Sequence, residues 1–495
     1  LKTVNGAVNV EYIGESAFAG CENLTEIELP STIPEIKPYT VAWCGLEYIE
    51  IHNFITKIGE RAFTNCAQLT KIDMSENIEE IGNFAFAWCP QLKSFTIPEK
   101  TKRLGYEILQ ANRELDTLYY NAINCEDAGA YYDKRVERTI GAFEGNVGLS
   151  EIVFGNRVEY IPEYLLYNCR GIDTIDFPRS IERIGRFALH NTEWFYGAEE
   201  DLIYVNNIAY HYKGKEVHVD ETVFRPNTNA IAACCFYEKD IETVELPSTV
   251  RYIGKSAFEK CKHIEKITFS VDIETIDDFA FYGCEEMESI VLGEGLIEIG
   301  KYSFANCTNL RKARLPRSVN KMGMATFYNC TNLERANLPQ NTTIVPAGCF
   351  SNCESLETIE IHNDVTEIEE YAFAGCSILD SIRIPRGCKK VGTRAFSNCI
   401  GMESVNFMAE SAKIESLAFY KCRNIRNINL DGVEEIGYRA FAECYELRGV
   451  AFGEKLTMID NRAFENCRSL KSISLPQTLN RIGKSAFENC KSLIS

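Results

Sequence analysis

Apolar and polar residues follow one another along this chain in an order that repeats every 22 or 23 residues. In the unit that covers 307–330, Ala313 and Leu315 alternate with polar neighbours, which is the periodicity of a half-buried strand. Pro316 follows, at a point where the strand no longer needs a backbone donor. The pattern therefore predicts one short strand in each unit, with alternate residues facing a core.

The second half of the unit predicts a bend and a short helical turn. Val319 and Met322 are placed to turn inward, and Gly323 gives the backbone freedom at the bend. The stretch 325–327 is too short for more than about one helical turn. Asn or Gly frequently precedes the last residue of a unit, as Asn329 does here, and both tolerate the left-handed conformation that closes a helix.

A Phe, two variable residues and a Cys mark the end of most units, with Ile-Gly before them and Leu-x-x-Ile after them. A fixed period of this length with one strand per unit is typical of leucine-rich repeats and too short for paired-helix repeats. Because each unit buries its apolar face against its neighbours, the chain is predicted to be a solenoid. The copies are Phe18/Cys21, Phe63/Cys66, Phe86/Cys89, Phe258/Cys261, Phe281/Cys284, Phe304/Cys307, Phe327/Cys330, Phe350/Cys353, Phe373/Cys376, Phe396/Cys399, Phe419/Cys422, Phe441/Cys444, Phe464/Cys467 and Phe487/Cys490.

Two units carry the longer motif Ile-Gly-x-x-Ala-Phe-x-Asn-Cys without interruption, at 58–66 and 482–490. This motif closely resembles that of the BspA-type leucine-rich repeat family, found on the surfaces of anaerobic bacteria and some protozoan parasites. The resemblance is strong over 11–120 and 239–495 and weak between them. It implies an α/β repeat solenoid, a curved right-handed array with a parallel β-sheet on one face and short helical or 3-10 turns on the other. It also implies a role in adhesion or host-protein binding, and it carries over no catalytic residue.

The regular pattern degrades between Cys89 and Cys261. We expect one continuous solenoid with regular repeats over 1–120, degenerate repeats over 121–238 and regular repeats again over 239–495. The degenerate part has a loop insertion at 121–135 and an alternating segment at 201–219, which predicts a small β-hairpin unit that interrupts the array. Four residues are interpreted as occupying the Cys slot of degenerate units: Asn112, Val147, Thr192 and Glu238.

Twenty-one cysteines would ordinarily suggest a disulfide scaffold, but sixteen of them fall at one position of the repeat. Equivalent residues of stacked coils lie about 5 Å apart with parallel Cα–Cβ bonds, which does not suit a disulfide. We therefore expect a core ladder of reduced thiols whose S–H groups donate weakly to carbonyl oxygens. Its most regular stretch comprises Cys261, Cys284, Cys307, Cys330, Cys353, Cys376, Cys399 and Cys422.

The remaining cysteines are also interpreted as core residues. Cys349 and Cys234 are placed where other units carry Ala, Cys235 where they carry Phe, and Cys388 where they carry Val or Ile. Only Cys125 is off pattern. A zinc site needs two converging pairs of ligands, which this arrangement does not offer, so neither a metal nor another cofactor is predicted.

Charge and hydropathy exclude two broad classes of function. A formal charge of -19 argues against nucleic acid as a partner, since phosphate contacts need clustered Lys and Arg. No apolar run approaches the roughly 18 residues that span a bilayer, so no membrane insertion is expected within this segment. The chain begins at Leu1 and stops at Ser495 part-way through a repeat, so it is interpreted as an excised or processed segment whose targeting signals, if any, lie outside it.

One residue of each strand must face away from the core, and these residues should line up across neighbouring coils. In the later half of the chain this column carries guanidinium and amide groups, which suit carboxylate or glycan oxygens. A solvated polar face is the alternative interpretation. The candidate binding residues of this face, including two neighbours one step aside, are Lys312, Arg314, Arg335, Asn337, Glu360, Arg383, Asn406 and Asn429.

A second candidate site is the insertion, where loops of solenoids often bind partners. Tyr131 and Tyr132 lie within it, close in sequence to Tyr119 and Tyr120. Tyrosines are favoured contact residues in interfaces, although simple packing at the rim of the insertion explains them as well.

No motif of an enzyme is found, because the six histidines form no metal-binding run and no nucleophile elbow surrounds a serine. We therefore expect a non-enzymatic cell-surface or secreted protein that mediates adhesion or recognises a host protein or glycan. An intracellular, cytoplasmic interaction scaffold is the alternative, since reducing compartments tolerate unpaired thiols best. An enzyme without a recognisable motif is the third possibility.

Overall fold

The computed structural model describes residues 2–5 and 9–494. The chain forms two compact units, Leu1–Lys213 and Gly214–Ser495. Within each unit the repeats are coils that stack on one another, and apart from two hairpins the paired strands run parallel to equivalent strands of neighbouring coils. The fold of each unit is a parallel-strand β-solenoid.

Most regular coils contain two short strands, whereas the sequence pattern predicted one. In the coil that covers 307–330 the strands are Lys312–Arg314 and Lys321–Met322. The first pairs with Arg335–Ala336 of the next coil, and the second with Glu298–Ile299 of the previous coil. The second strand escapes prediction because two residues are too few to show a period of two, and all its hydrogen-bond partners lie in other coils.

The first strand of a coil carries the alternating residues, and these strands form the row that we call the first strand row. In the unit 1–213 it consists of Thr3–Val4, Glu26–Ile27, Tyr48–Glu50, Lys71–Asp73, Ser94–Ile97, Thr117–Tyr120 and Glu151–Phe154. In the unit 214–495 it consists of His218–Val219, Thr243–Glu245, Lys266–Thr268, Ser289–Val291, Lys312–Arg314, Arg335–Ala336, Ser381–Ile384, Ser404–Phe407, Asn427–Leu430, Gly449–Phe452 and Ser472–Ser474.

The second strand of each coil lies just before the position that Gly323 occupies in the coil 307–330, which we call the glycine slot. These strands form the second strand row, and most of them are two residues long. In the unit 1–213 it consists of Glu35–Ile36, Lys57–Ile58, Glu80–Ile81, Arg103–Leu104, Tyr160–Ile161 and Arg183–Ile184. In the unit 214–495 it consists of Ala230–Ile231, Tyr252–Ile253, Thr275–Ile276, Glu298–Ile299, Lys321–Met322, Ile344–Val345, Glu367–Ile368, Lys390–Val391, Ala412–Ile414, Val433–Ile436, Met458–Ile459 and Arg481–Ile482.

The predicted helical face is wrong, because the segment between the glycine and cysteine slots is a ladder of turns. Within the described residues, helical structure is confined to an α-helix at Glu193–Gly197 and a 3-10 turn at Glu221–Val223. In a regular turn segment the N–H groups of Phe279 and Phe281 donate to carbonyls of the next coil, while that of Ala280 bonds back within its own coil. Half of the backbone donors therefore join coils together instead of forming a helix.

The left-handed conformation predicted before the Cys slot is confirmed, but it belongs to turns and not to helix ends. Asn329 has φ 59 and Asn352 has φ 60. The following N–H of Cys330 donates to the carbonyl of Phe327, three residues back, as in a turn that needs positive φ at its third position. A second left-handed position lies two residues after the glycine slot, as at Tyr302 with φ 53 and Tyr371 with φ 56.

A column of phenylalanine rings fills the core behind the turn segments. In the unit 214–495 it extends without interruption from Phe236 to Phe487, with neighbouring ring centroids 4.8 to 5.7 Å apart and ring planes 2° to 13° from parallel. Such nearly parallel pairs add about 0.5–1.5 kcal/mol each to the free energy of unfolding beyond the area that they bury.

The cysteines of the ladder lie in the core of the structure. All 21 thiols are free, and all are buried except Cys21 and Cys490, which are half-buried. From Cys261 to Cys490, each ladder sulfur contacts the backbone oxygen of the Phe in the preceding coil, for example Cys307 Sγ to Phe281 O at 3.2 Å and Cys330 Sγ to Phe304 O at 3.1 Å. The weak S–H donor thus adds a further bond between adjacent coils.

Two assignments of the Cys slot in the degenerate repeats are off by one residue. Asn146, not Val147, occupies the slot: Asn146 is buried and its Nδ2 donates to Phe143 O at 3.0 Å, while Val147 is 85% exposed. Phe236 stacks on Phe258, so the slot of that coil falls on Lys239 and not on Glu238. For the same reason Cys235 occupies the Ala slot, and Cys234 the left-handed position before it with φ 56.

Two antiparallel hairpins interrupt the unit 1–213. One pairs Tyr131–Asp133 with Arg138–Ile140, and Asp127, within the predicted insertion, still pairs with Arg103 of the previous coil. The other pairs Leu202–Val205 with Ile208–Tyr212 around the turn at 206–207, as the alternating segment predicted.

Candidate functional site

The outward column of the first strand row has the alignment expected from the sequence. The register places Val291 beside Arg314 and, three coils later, Arg383 beside Asn406. Lys312 and Arg335 are likewise direct neighbours on adjacent strands. We call the surface formed by Lys312, Arg314, Arg335, Asn337, Glu360, Arg383, Asn406 and Asn429 the strand face.

Two amides of the strand face are occupied by bonds within the protein. Asn337 accepts from the N–H of Leu315 and donates to its carbonyl, both at 2.9 Å, so its side chain continues the ladder where the strand has ended. Asn429 bonds to Asp431 through both the side chain and the backbone of that residue. These two amides support the surface and are not free donors for a ligand.

The cations of the strand face are more available than its amides. Lys312, Arg314 and Arg383 are exposed, and among the described residues none of them makes an ion pair. Arg335 lies 4.0 Å from a carboxylate oxygen of Glu357. Arg314 and Arg383 are three coils apart, about 14 Å at ~4.8 Å per coil, so they suit an extended partner and not a single small anion.

The four tyrosines proposed for the insertion do not form one site. Tyr120 is fully buried and packs against Phe154, while Tyr119 is exposed on the first strand row. Tyr131 lies 4.9 Å from the ring of Tyr106, and burial together with the neighbouring Glu107 raises the pKa of its hydroxyl to about 12. Only Tyr132, 60% exposed at the hairpin, remains as a free contact residue of the insertion itself.

The stacked turns between the glycine and cysteine slots form a surface that we call the turn ladder. In the unit 214–495 this surface carries a groove that was not predicted from the sequence. It has a volume of about 740 Å³, within the range typical of small-ligand sites. Tyr302 and Tyr328 form one wall and Tyr371 the other, three coils from Tyr302. We call this feature the aromatic groove.

The aromatic groove exists because two successive coils lack a large side chain at a position where neighbouring coils have one. The left-handed position after the glycine slot is Phe279, Tyr302 and Tyr371 in nearby coils, but Ala325 and Gly348 in the two coils between. The floor is continued by small residues one position after the Phe slot, where Ser351, Ala374 and Ser397 follow Tyr328.

Both walls of the aromatic groove are held by further contacts. Tyr302 stacks on Phe279 with ring centroids 5.1 Å apart and meets Tyr328 edge to face at 6.4 Å. On the other side, Arg394 donates from Nη1 to the hydroxyl of Tyr371 at 3.1 Å, and its guanidinium lies 5.6 Å from the centre of that ring. The rings are therefore oriented before any ligand arrives.

The described residues show no arrangement typical of a metal or nucleophilic site. No group of three or more His, Cys, Asp or Glu in this part of the chain is placed to hold a metal ion. Burial raises the pKa of the Cys261 and Cys307 thiols to about 12, which removes the thiolate that nucleophilic chemistry needs. Over the same residues, no helix has the length and apolar character required to cross a membrane.

Three solved structures of bacterial leucine-rich repeat proteins are similar to this chain. One from Bacteroides ovatus is 21% identical, with 92% of this chain and 91% of that chain covered and a TM-score of 0.36. A cell surface protein from Faecalibacterium prausnitzii is 25% identical, covering 59% and 84%, with a TM-score of 0.38. A protein from T. pallidum is 27% identical, covering 37% and 89%, with a TM-score of 0.35.

A search of curated proteins found no match. The sequence profile of the BspA type leucine rich repeat region matches residues 1–116, 138–198, 229–357 and 366–494, which is most of the chain. Proteins with these repeats typically bind other molecules and are not enzymes. The recurrent coil, its cysteine ladder and this match together establish that the chain belongs to the BspA-type leucine-rich repeat family.

Proposed function

We propose that this protein is a non-enzymatic binding protein, displayed at a cell surface or secreted, that adheres to a host protein or glycan. The observation that carries the proposal is the strand face, where Arg314 and Arg383 lie on strands three coils apart, each paired with the strand of a neighbouring coil, and are exposed. Rigid strands hold these cations at a fixed spacing, so a partner with matching carboxylates gains contacts without the entropic cost of ordering loops.

The charge of the whole chain sharpens this proposal. The formal net charge is -19, yet the later strand face carries Lys312, Arg314, Arg335 and Arg383 against the carboxylate of Glu360 and that of Glu357, which lies beside Arg335. A local excess of cations on an acidic protein supports recognition of an acidic surface, while the remaining surface repels non-specific acidic partners.

The test is a charge reversal of the strand face, Arg314→Glu with Arg383→Glu. Binding of the full chain to candidate host matrix proteins would be measured by surface plasmon resonance, and we expect at least a tenfold loss of affinity with an unchanged melting temperature. The matched control is Arg113→Glu with Arg170→Glu, which makes the same change of charge at two exposed turn positions of the other unit. Retained binding in the strand-face variant would move the site elsewhere.

An intracellular interaction scaffold is the second candidate, favoured by the 21 free thiols. Burial protects most of these thiols from oxidants, so they are compatible with an extracellular location as well. Protease treatment of intact source cells distinguishes the two locations: loss of the protein supports the surface, whereas complete protection supports the scaffold.

A further inference from the structure

We propose that the aromatic groove between Tyr302 and Tyr371 binds a neutral glycan. This inference rests on the proposed binding function and specifies a second site for it, on the turn ladder instead of the strand face. Nothing in the sequence pattern or the family match assigns a role to these coils. Three observations support it: the packing of the coils does not require the open space, the aromatic rings are held in place, and the polar groups include both hydrogen-bond donors and acceptors.

The gap is not required by the packing of the coils. A Cβ atom at Gly348 would meet nothing nearer than the Cβ of Ala325, at 3.8 Å, which is ordinary van der Waals contact. The left-handed backbone at Gly348, φ +61, also does not demand glycine here, because Tyr302 and Tyr371 adopt φ 53 and 56 in the equivalent position. The backbone can accommodate a large side chain at 348, so the open space is a property of this sequence and not of the fold.

The walls suit the flat apolar face of a pyranose ring. C–H groups on one face of a sugar carry partial positive charge and stack on the negative face of an aromatic ring. Tyr371 is 39% exposed, and its ring is fixed by Arg394 of the next coil. Tyr302 is held instead by ring stacking on Phe279. A ligand that stacks between such walls loses less entropy than one that must order them.

The polar groups that line the groove match a neutral ligand that both donates and accepts hydrogen bonds. Glu354 and Glu370 supply acceptors, Arg394 supplies donors, and the hydroxyl of Ser351 and the amide of Asn398 supply both. One cation against two carboxylates leaves one net negative charge, which disfavours an anionic ligand. Sugar hydroxyls, each a donor and an acceptor, complement this mixture.

The experiment fills the groove with the residue that neighbouring coils already carry. The variant Gly348→Tyr places an aromatic side chain in the gap beside Tyr371, and Ser485→Tyr, at the same left-handed position with φ 58 in a distant coil, is the matched control. The full chain and both variants would be applied to an array of neutral and sialylated or sulfated glycans, and affinities for hits would be measured by isothermal titration calorimetry.

We expect at least one neutral glycan to bind, with affinity reduced tenfold or more by Gly348→Tyr and unchanged by Ser485→Tyr. Tyr371→Ala should weaken the same glycan tenfold or more and Tyr371→Phe less than twofold, because stacking survives without the hydroxyl. Circular dichroism melts of each variant identify any that fail to fold, and Tyr371→Phe then decides between lost stacking and lost structure.

Three results would overturn the inference: no neutral glycan bound, only charged glycans bound, or glycan binding that Gly348→Tyr leaves intact. Capture of a proline-rich or basic peptide that Gly348→Tyr displaces would assign the groove to a peptide instead. The strand-face variant Arg314→Glu with Arg383→Glu separates the two sites. Protein binding lost in that variant, together with an empty glycan array, would leave the proposed function standing and remove only this inference.

Discussion

At the scale of single residues, the preference for Cys in its slot is explained by the backbone carbonyl oxygen of the Phe in the preceding coil. The oxygen of Phe281 accepts from the N–H of Cys284 at 3.3 Å and from the sulfur of Cys307 at 3.2 Å. Where Asn112 replaces Cys, its Nδ2 donates to Phe86 O at 3.0 Å, which is the same contact. The slot therefore selects a small donor, and Cys combines that property with an apolar body.

The first prediction concerns the core sulfur of Cys330. The change Cys330→Ser places a more polar group in a fully buried position, and we expect the free energy of unfolding to fall by about 1–3 kcal/mol. Urea denaturation of the full chain measures the change. The same exchange at a less buried position, Cys490→Ser, is the control and should cost less, because Cys490 is only half-buried. An unchanged denaturation midpoint for Cys330→Ser would contradict the buried assignment.

The second prediction is a loss of stability in alkali. Burial raises the pKa of the Cys169, Cys261 and Cys307 thiols to about 12, from an ordinary value of 9.0. Above about pH 9 the unfolded chain releases protons that the folded chain retains, so each such thiol lowers the free energy of unfolding by about 1.4 kcal/mol per pH unit. The contribution of these thiols to stability should be constant up to about pH 8 and fall steeply between about pH 9 and 12.

Urea melts under reducing conditions at a series of pH values measure this dependence. Lys and Tyr groups also titrate above pH 10, so the change Cys307→Ala is the control: it removes one proton from the difference between the folded and unfolded chains and should make the slope shallower. Stability that stays constant from pH 8.5 to 10 would show that the thiols are not buried in the native protein.

At the scale of elements, the turn ladder replaces the helix because its donors reach the next coil. Asn329 donates its N–H to Ser351 O at 2.8 Å and its side-chain amide to Asn306 Oδ1 at 2.8 Å. In a helix, the backbone N–H and C=O groups would bond along the helix axis, and they would not join this segment to neighbouring coils. The left-handed residues cost conformational energy, and the bonds between coils offset it.

The third prediction tests that ladder. Asn329→Val forces a β-branched residue into the left-handed region and removes the amide bond to Asn306, so we expect a loss of about 1–3 kcal/mol in the free energy of unfolding. Asn329→Gly loses only the amide bond and should cost about 1 kcal/mol. Thermal melts compare the two, and equal losses would argue that the backbone at 329 is not left-handed.

Sequence reasoning predicted the first strand row, the coil period and the cysteine ladder, because each rests on residue types that recur at one position. It missed the second strand row, since Lys321–Met322 is only two residues long and pairs only with other coils. It mistook the turn ladder for a helix because the left-handed position after the glycine slot accepts any residue, such as Tyr302 or Arg394, and gives no glycine signal.

The candidate sites were predicted less completely than the fold. The alignment of Arg314 and Arg383 followed from strand alternation, but the use of the Asn337 amide within the ladder depends on where one strand stops, which the pattern does not fix. The aromatic groove results from small residues at a position where nearby coils carry large aromatic ones, so no functional residue type marks it in the sequence. Comparing Ala325 and Gly348 with Phe279 and Tyr302, position by position, was the available signal.

At the scale of the whole molecule, each unit is held together by residues at equivalent repeat positions, which lie over one another in successive coils. Parallel strands, stacked phenylalanine rings and thiol contacts all join a coil to its immediate neighbours. Ion pairs repeat the same geometry on the surface, as between Arg251 and Glu274 or Lys262 and Glu285, although such exposed pairs contribute little. Stability in such an array is approximately a sum of coil and neighbour terms.

The stacking of identical slots is tested most directly by labelling the thiols of the native protein with iodoacetamide at pH 7.5 and locating the labels by mass spectrometry. The structure predicts that the half-buried Cys21 and Cys490 react within minutes, that the other 19 of the 21 cysteines stay unlabelled, and that all 21 react after unfolding in urea without a reductant. Rapid native labelling of the ladder from Cys261 to Cys422, or thiols that require reduction before they react, would contradict it.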